Sequence, residues 1–250
     1  PTKEPDRAEI PEAPDPRTLL ENYTGRAAIA AGEAFDPTPE NIERRVRRVE
    51  INGMKIALLS KDNRGDTVNF RLSLPAGNLE TMMNRSYVAA LTGSMLMRGT
   101  TRYTREQLRD EFTRLNATGG VGSMAASFQT TRPNLVAAIR LAAHALREPS
   151  FPEGEFSQLK DQAIISLESS LSEPSSLASE ALGKHFNIYP PGDPRRSDTL
   201  QEQIEAIRAV TLEDVRRFHR DFYAANRAQI AVVGDFDEEE VLEALRESLG

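Results

Sequence analysis

Imidazole and thiol side chains, the usual ligands of a catalytic zinc, are few and scattered. Histidine occurs three times, at His144, His185 and His219, on segments whose periodicity predicts three different helices. None is read as having a partner three or four residues on, so a shared site would need a coincidence of tertiary structure, and each reads as a satisfied surface or core histidine. Cysteine is absent, which excludes disulfide frameworks, thiolate zinc sites and cysteine nucleophiles together, and leaves the redox compartment open. A formal charge of -7 and a pI near 5.2 disfavour a nucleic-acid surface, because phosphate binding draws on clustered Lys and Arg. The short run Arg44-Arg45-Val46-Arg47-Arg48 reads as the solvated side of a strand or helix end.

The elements that must position any site are legible from period and punctuation. Residues 1 to about 16 carry five prolines among acids, a composition that cannot bury enough apolar surface to order itself, and read as a linker. A helix is expected from Arg17 to Ala31, and the chain restarts at Asp36-Pro37-Thr38-Pro39-Glu40. The domain proper is taken as 45–250, with 1–44 as linker and approach segment. It opens with a strand over Arg47–Ile51, an Asn52-Gly53 hairpin turn and a returning strand Met54–Ser60. A third strand, Val68 to Leu74, alternates apolar and polar residues. Beyond Pro75-Ala76-Gly77 the period changes. Met83, Tyr87, Leu91 and Met95 recur every four residues, the pattern of one helix face.

A second helix, capped by Thr104 with Gln107 three residues on, buries Leu108, Phe112 and Leu115. Gly119 to Thr130 reads as one strand rich in small residues. Helices follow near 133–147, 152–171, 174–187, 199–208 and 212–224, the last capped by Thr211 with Asp214. A short strand, Gln229–Val233, precedes an acidic-start helix from Asp237 to Leu249 suited to the helix dipole. Strands, then helices, then a strand and a helix make an α+β fold, a mixed, mainly antiparallel sheet packed against a layer of helices.

Four stretches together resemble the insulinase and pitrilysin type of zinc metallopeptidase, whose members include the processing peptidases. They are Asn52-Gly53-Met54, Gly77 before a long helix, Met95-Leu96-Met97-Arg98-Gly99-Thr100, and Ala231-Val232-Val233-Gly234-Asp235. The likeness runs from about residue 45 to the end. In that family the helix before the Gly-Thr turn carries His-x-x-Glu-His, two zinc ligands one helical turn apart and a glutamate that activates water. With Gly99-Thr100 as anchor, those positions fall on Ala90, Gly93 and Ser94. A catalytic zinc takes three protein ligands and leaves one position for water. Ala90 offers no donor, Gly93 has no side chain, and a Ser94 hydroxyl is a poor ligand.

The family's third ligand is a helical glutamate some seventy residues further on, preceded seven residues earlier by another acid, a pattern that Glu168 and Asp161 match. Glu168 is therefore either a remnant of the site or a solvated acid on a helix face. By the same register, Ala90→His, Gly93→Glu and Ser94→His together should create zinc affinity, with Glu168 as third ligand. Glycine inside a helix costs about 1 kcal/mol relative to alanine, so Gly93, with Ala90 and Ser94, marks either close helix packing or a shallow groove open to a peptide. Arg216 and Tyr223 have the spacing of a catalytic Arg and Tyr from another domain of the family. They lack its glycine-rich context, and the role is not transferred.

The resemblance implies a degenerate half of a two-half enzyme, each half with two copies of this domain, and the chain in hand as the first domain of that half. No metal is expected in this chain, with zinc held by a catalytic half in the same polypeptide or a partner subunit. Such a domain would complete the substrate chamber. It could contact peptide through an exposed sheet edge, for which Gly120, Val121, Gly122, Ser123 and Met124 are the candidates, glycine allowing close backbone approach. The alternative is a structural subunit of the same fold, like the core proteins of respiratory complexes. The apolar runs are too short to span a membrane. By resemblance to long bacterial two-half enzymes, a periplasmic location is expected over a cytoplasmic one.

Overall fold

Asn52 and Gly53 both take positive φ (50° and 82°), the conformation that a two-residue turn needs to match the twist of its flanking strands. They join β1 (Arg47–Ile51) to β2 (Met54–Ser60), as their sequence predicts. The computed structural model describes residues 31–75 and 77–250. The linker and first helix expected before residue 31 fall outside them. Residues from Ala31 onward form one unit, whose first element is α1 (Pro39–Arg45). Its Arg45 reaches back to Glu33 at 2.5 Å and donates to the Ser60 carbonyl at 2.8 Å, tying this segment to the end of β2.

The sheet has six strands in the order β1-β2-β6-β3-β5-β4, where β3 is Thr67–Ser73, β4 Thr118–Gly122, β5 Ala125–Thr131 and β6 Gln229–Gly234. Only the β2–β6 pair is parallel; every other neighbour is antiparallel. Alternation along each strand sends Ile56, Leu58, Val68, Phe70, Leu72, Phe128, Ile230 and Val232 into the core. The intervening Lys55, Asn69, Arg71, Ser127, Gln129, Gln229 and Ala231 are exposed, so the other face of the sheet is open.

On the buried face lie α5 (Leu135–Arg147) and α10 (Glu238–Leu249), packed against each other, whose apolar stripes bring Ile139, Ala142, Leu146, Leu242 and Leu245 into the common core. The remaining helices are α2 (Leu79–Met82), α3 (Ser86–Met95), α4 (Arg105–Arg114), α6 (Glu153–Ser170), α7 (Pro174–His185), α8 (Leu200–Ala209) and α9 (Leu212–Phe222). The boxes read at Thr104/Gln107 and Thr211/Asp214 are formed, each satisfying two end donors of a helix.

Two expectations are corrected. The single helix face through Met83, Tyr87, Leu91 and Met95 is broken: Asn84 sits at φ 59° between α2 and α3, its N–H donating to the Gly192 carbonyl at 2.8 Å. Asparagine tolerates that left-handed conformation at low cost. The segment Gly119–Thr130 is a hairpin rather than one strand. Ser123 and Met124 turn the chain between β4 and β5, with Met124 at φ 54° and its carbonyl held by the Leu74 N–H at 2.7 Å.

Candidate functional site

On α3 the degenerate positions do not share an environment. Ala90 and Ser94, one turn apart, are exposed, whereas Gly93 is buried. A Cβ on Gly93 would lie 2.6 Å from the Cα and 2.7 Å from the N of Ser123, the first residue of the β4–β5 turn. These are backbone atoms, so no rotamer change relieves the clash. The glycine lets the helix and the turn touch, and any larger side chain at this position would meet the hairpin.

Glu168 lies near the C-terminal end of α6, about half exposed, and its Oε1 accepts from Arg208 at the end of α8 at 2.6 Å. An exposed pair of this kind contributes about 0.5 kcal/mol or less. Asp161 is exposed on the same helix. The donor set does not suit the zinc that the resemblance implies: Ala90, Gly93 and Ser94 offer a methyl group, a hydrogen and a hydroxyl, and the Glu168 carboxylate is engaged by a guanidinium. Among the described residues, no three His, Cys, Asp or Glu side chains converge as a ligand group.

The histidines lie on α5, α7 and α9, as expected. One point is corrected, because His144 does have a partner one turn on: its Nδ1 is 3.4 Å from Glu148, and its Nε2 meets Thr100 Oγ1 at 3.0 Å. That contact fastens α5 to the Gly99-Thr100 turn. Thr100 Oγ1 also accepts from the Tyr103 N–H at 3.0 Å, and Gly99 takes φ 140°.

The closing residues 209–250, covering α9, β6 and α10, match the family model described as the peptidase M16 inactive domain. The chain superposes on the crystal structure of a peptidase M16 inactive domain from Pseudomonas fluorescens with TM-score 0.67 at 23% identity, over 82% of this chain and 51% of that one. This is an insulinase/pitrilysin-type fold. A protease from Helicobacter pylori gives TM-score 0.65 at 17% identity, over 81% and 49% of the two chains. The periplasmic protease PqqL from Escherichia coli gives 0.63 at 16% identity, over 89% and 24%. No curated protein matches the chain. The chain thus spans about half the length of the first two relatives and about a quarter of the third.

The stretches that carried the family resemblance prove to be turn formers. Gly234 takes φ 142° and leaves no room for a side chain beside Val68, as Gly99 and Asn52-Gly53 serve their own turns. Residues that shape an insulinase/pitrilysin-type fold are therefore present in this chain.

The candidate peptide edge divides. Gly120, Val121 and Gly122 belong to β4, an outermost strand of the sheet, while Ser123 and Met124 form the turn that closes it. Among the described residues no further strand pairs with the outer side of β4. A two-residue turn makes Gly122 and Ala125 a hydrogen-bonded pair, so the alternation of an antiparallel ladder aims the N–H and C=O of Gly119 and Val121 outward. A Cβ on Gly122 would meet nothing within 4 Å.

Sequence reasoning missed what holds this edge in place. The hydroxyl of buried Tyr223 accepts from the Met124 N–H at 3.2 Å across 99 residues of sequence. Its ring stacks on His219, whose Nε2–H donates to the Leu146 carbonyl at 2.7 Å. Arg216, its spacing partner, is exposed. No local signal marks so distant a pairing. Burial lowers the pKa of His219 below the ordinary imidazole value. The unfolded chain therefore binds a proton near pH 6.5 that the folded chain does not, and stability present above that pH falls as pH drops through it. His219→Gln should flatten this slope between pH 7.5 and 5 in urea titrations; an unchanged slope would assign it to other groups.

Proposed function

We propose that this chain is a non-catalytic domain of a zinc endopeptidase, completing the substrate chamber beside a separate half that carries His-x-x-Glu-His and zinc. The observation behind this reading is Gly93, packed against the Ser123 backbone where the water-activating glutamate would stand. Zinc and the cleavage step then belong to the companion half, in the same polypeptide or as a partner subunit. What this chain offers is main chain: β4 can accept an extended peptide as a seventh strand, with affinity from hydrogen bonds to Gly119 and Val121 rather than from side chains.

The test is hydrolysis of an extended peptide by the motif-bearing half with and without this chain. Hydrolysis should need both. Val121→Pro removes one outward donor and should raise KM about tenfold, a loss of about 1.4 kcal/mol, with kcat and the far-UV circular dichroism little changed. Equal hydrolysis without the chain would favour the scaffold reading, and an unchanged KM would remove the edge from the account.

A further inference from the structure

Helix α7 is turned inside out. At about 100° per residue, Leu177, Ala178, Ala181 and Leu182 share one side of it, and Ser176, Glu180 and Gly183 share the other. An ordinary surface helix buries the first set. Here the polar side faces the protein: Glu180 accepts from the Leu200 N–H at 2.7 Å, and Gly183 backs onto Ser197. The apolar side is left in water, Leu177 43% and Leu182 60% exposed, and it continues into Phe186 at 70% and Ile188 at 83%. Among its residues α7 buries none. Single exposed apolar residues are ordinary, but a contiguous set of large ones marks an interaction surface.

We propose that this face of α7, with Phe186 and Ile188, is the docking surface for the companion half of the peptidase. The inference rests on the reading that such a half exists. Two observations favour this occupant. The relatives carry this fold as a half or a quarter of a longer chain, so in them it lies beside further protein. The charge is wrong for an anionic membrane, which needs Lys and Arg beside the apolar face: residues 165–188 hold Glu168, Glu173 and Glu180 against the single Lys184.

The absence of cysteine makes the test direct. Leu182→Cys and Ile188→Cys each introduce the sole thiol of this chain at an exposed position, and maleimide labelling of that peptide is followed by mass spectrometry. With the companion half bound, labelling should be at least about tenfold slower than in the same polypeptide without it, so that cover by the second domain of its own half is not counted. Equal rates would overturn the proposal. So would slowing of the isolated chain with its own concentration, which would indicate a second copy. Protection by anionic phospholipid vesicles without protection by the companion half would overturn it in favour of a lipid surface. Hydrolysis that depends on this chain while both thiols label freely would remove the docking face and leave the proposed function standing.

Discussion

Gly93→Ala should lower the folding stability of the chain by about 2 kcal/mol, read as a shifted urea midpoint at unchanged m-value, although alanine is the better helix former. The added methyl would fall 2.6–2.7 Å from backbone atoms of Ser123, so either α3 or the β4–β5 turn must move. Gly154 supplies the control: it also lies in a helix, a Cβ there would meet nothing within 4 Å, and Gly154→Ala should stabilise by about 0.5–1 kcal/mol. If both variants stabilise, helix and turn do not touch as described. The same contact changes the rebuilding experiment. Ala90→His and Ser94→His project from exposed positions and can bind a divalent ion as a pair, but adding Gly93→Glu should unseat the turn before it supplies a water-activating carboxylate. Zinc binding by the triple variant at undiminished stability would show that the hairpin yields.

Gly234→Ala should be the more damaging change, costing about 3 kcal/mol or more. Gly234 lies at φ 142°, a region nearly closed to residues with a Cβ, and a methyl there would come within 2.7 Å of the Val68 Cα on the adjacent strand. Strain and overlap therefore add. The strand it ends, β6, lies between β2 and β3, and no edge freedom absorbs the shift. Loss of the cooperative thermal transition, or failure to accumulate as folded protein, is the expected result. A melting temperature within a few degrees of the parent chain would refute the argument.

Local rules were enough wherever the decisive interaction is local. The Asn52-Gly53 turn, the capping boxes at Thr104 and Thr211 and the alternation in β3 each depend on partners within a few residues, and all were legible. Met83 to Met95 misled because an apolar period of four does not reveal that Asn84 turns left-handed to meet Gly192 from a distant loop. Gly119–Thr130 misled for a related reason. Glycine and small residues fit a strand or a turn equally well, and Leu74 and Tyr223, far away in the chain, fix the turn at Ser123–Met124.

The sequence by itself determined that Ala90, Gly93 and Ser94 carry no imidazole or carboxylate, because that is a matter of which atoms the side chains hold. It also determined the fold class, since period and punctuation are local. Only the tertiary structure decided what those positions became. Gly93 is filled from outside by a hairpin turn thirty residues on, Glu168 faces Arg208, and α7 buries its polar side. These are contacts between segments remote in sequence, and which side of a helix meets its neighbour depends on that neighbour's position as well as on the helix's own pattern.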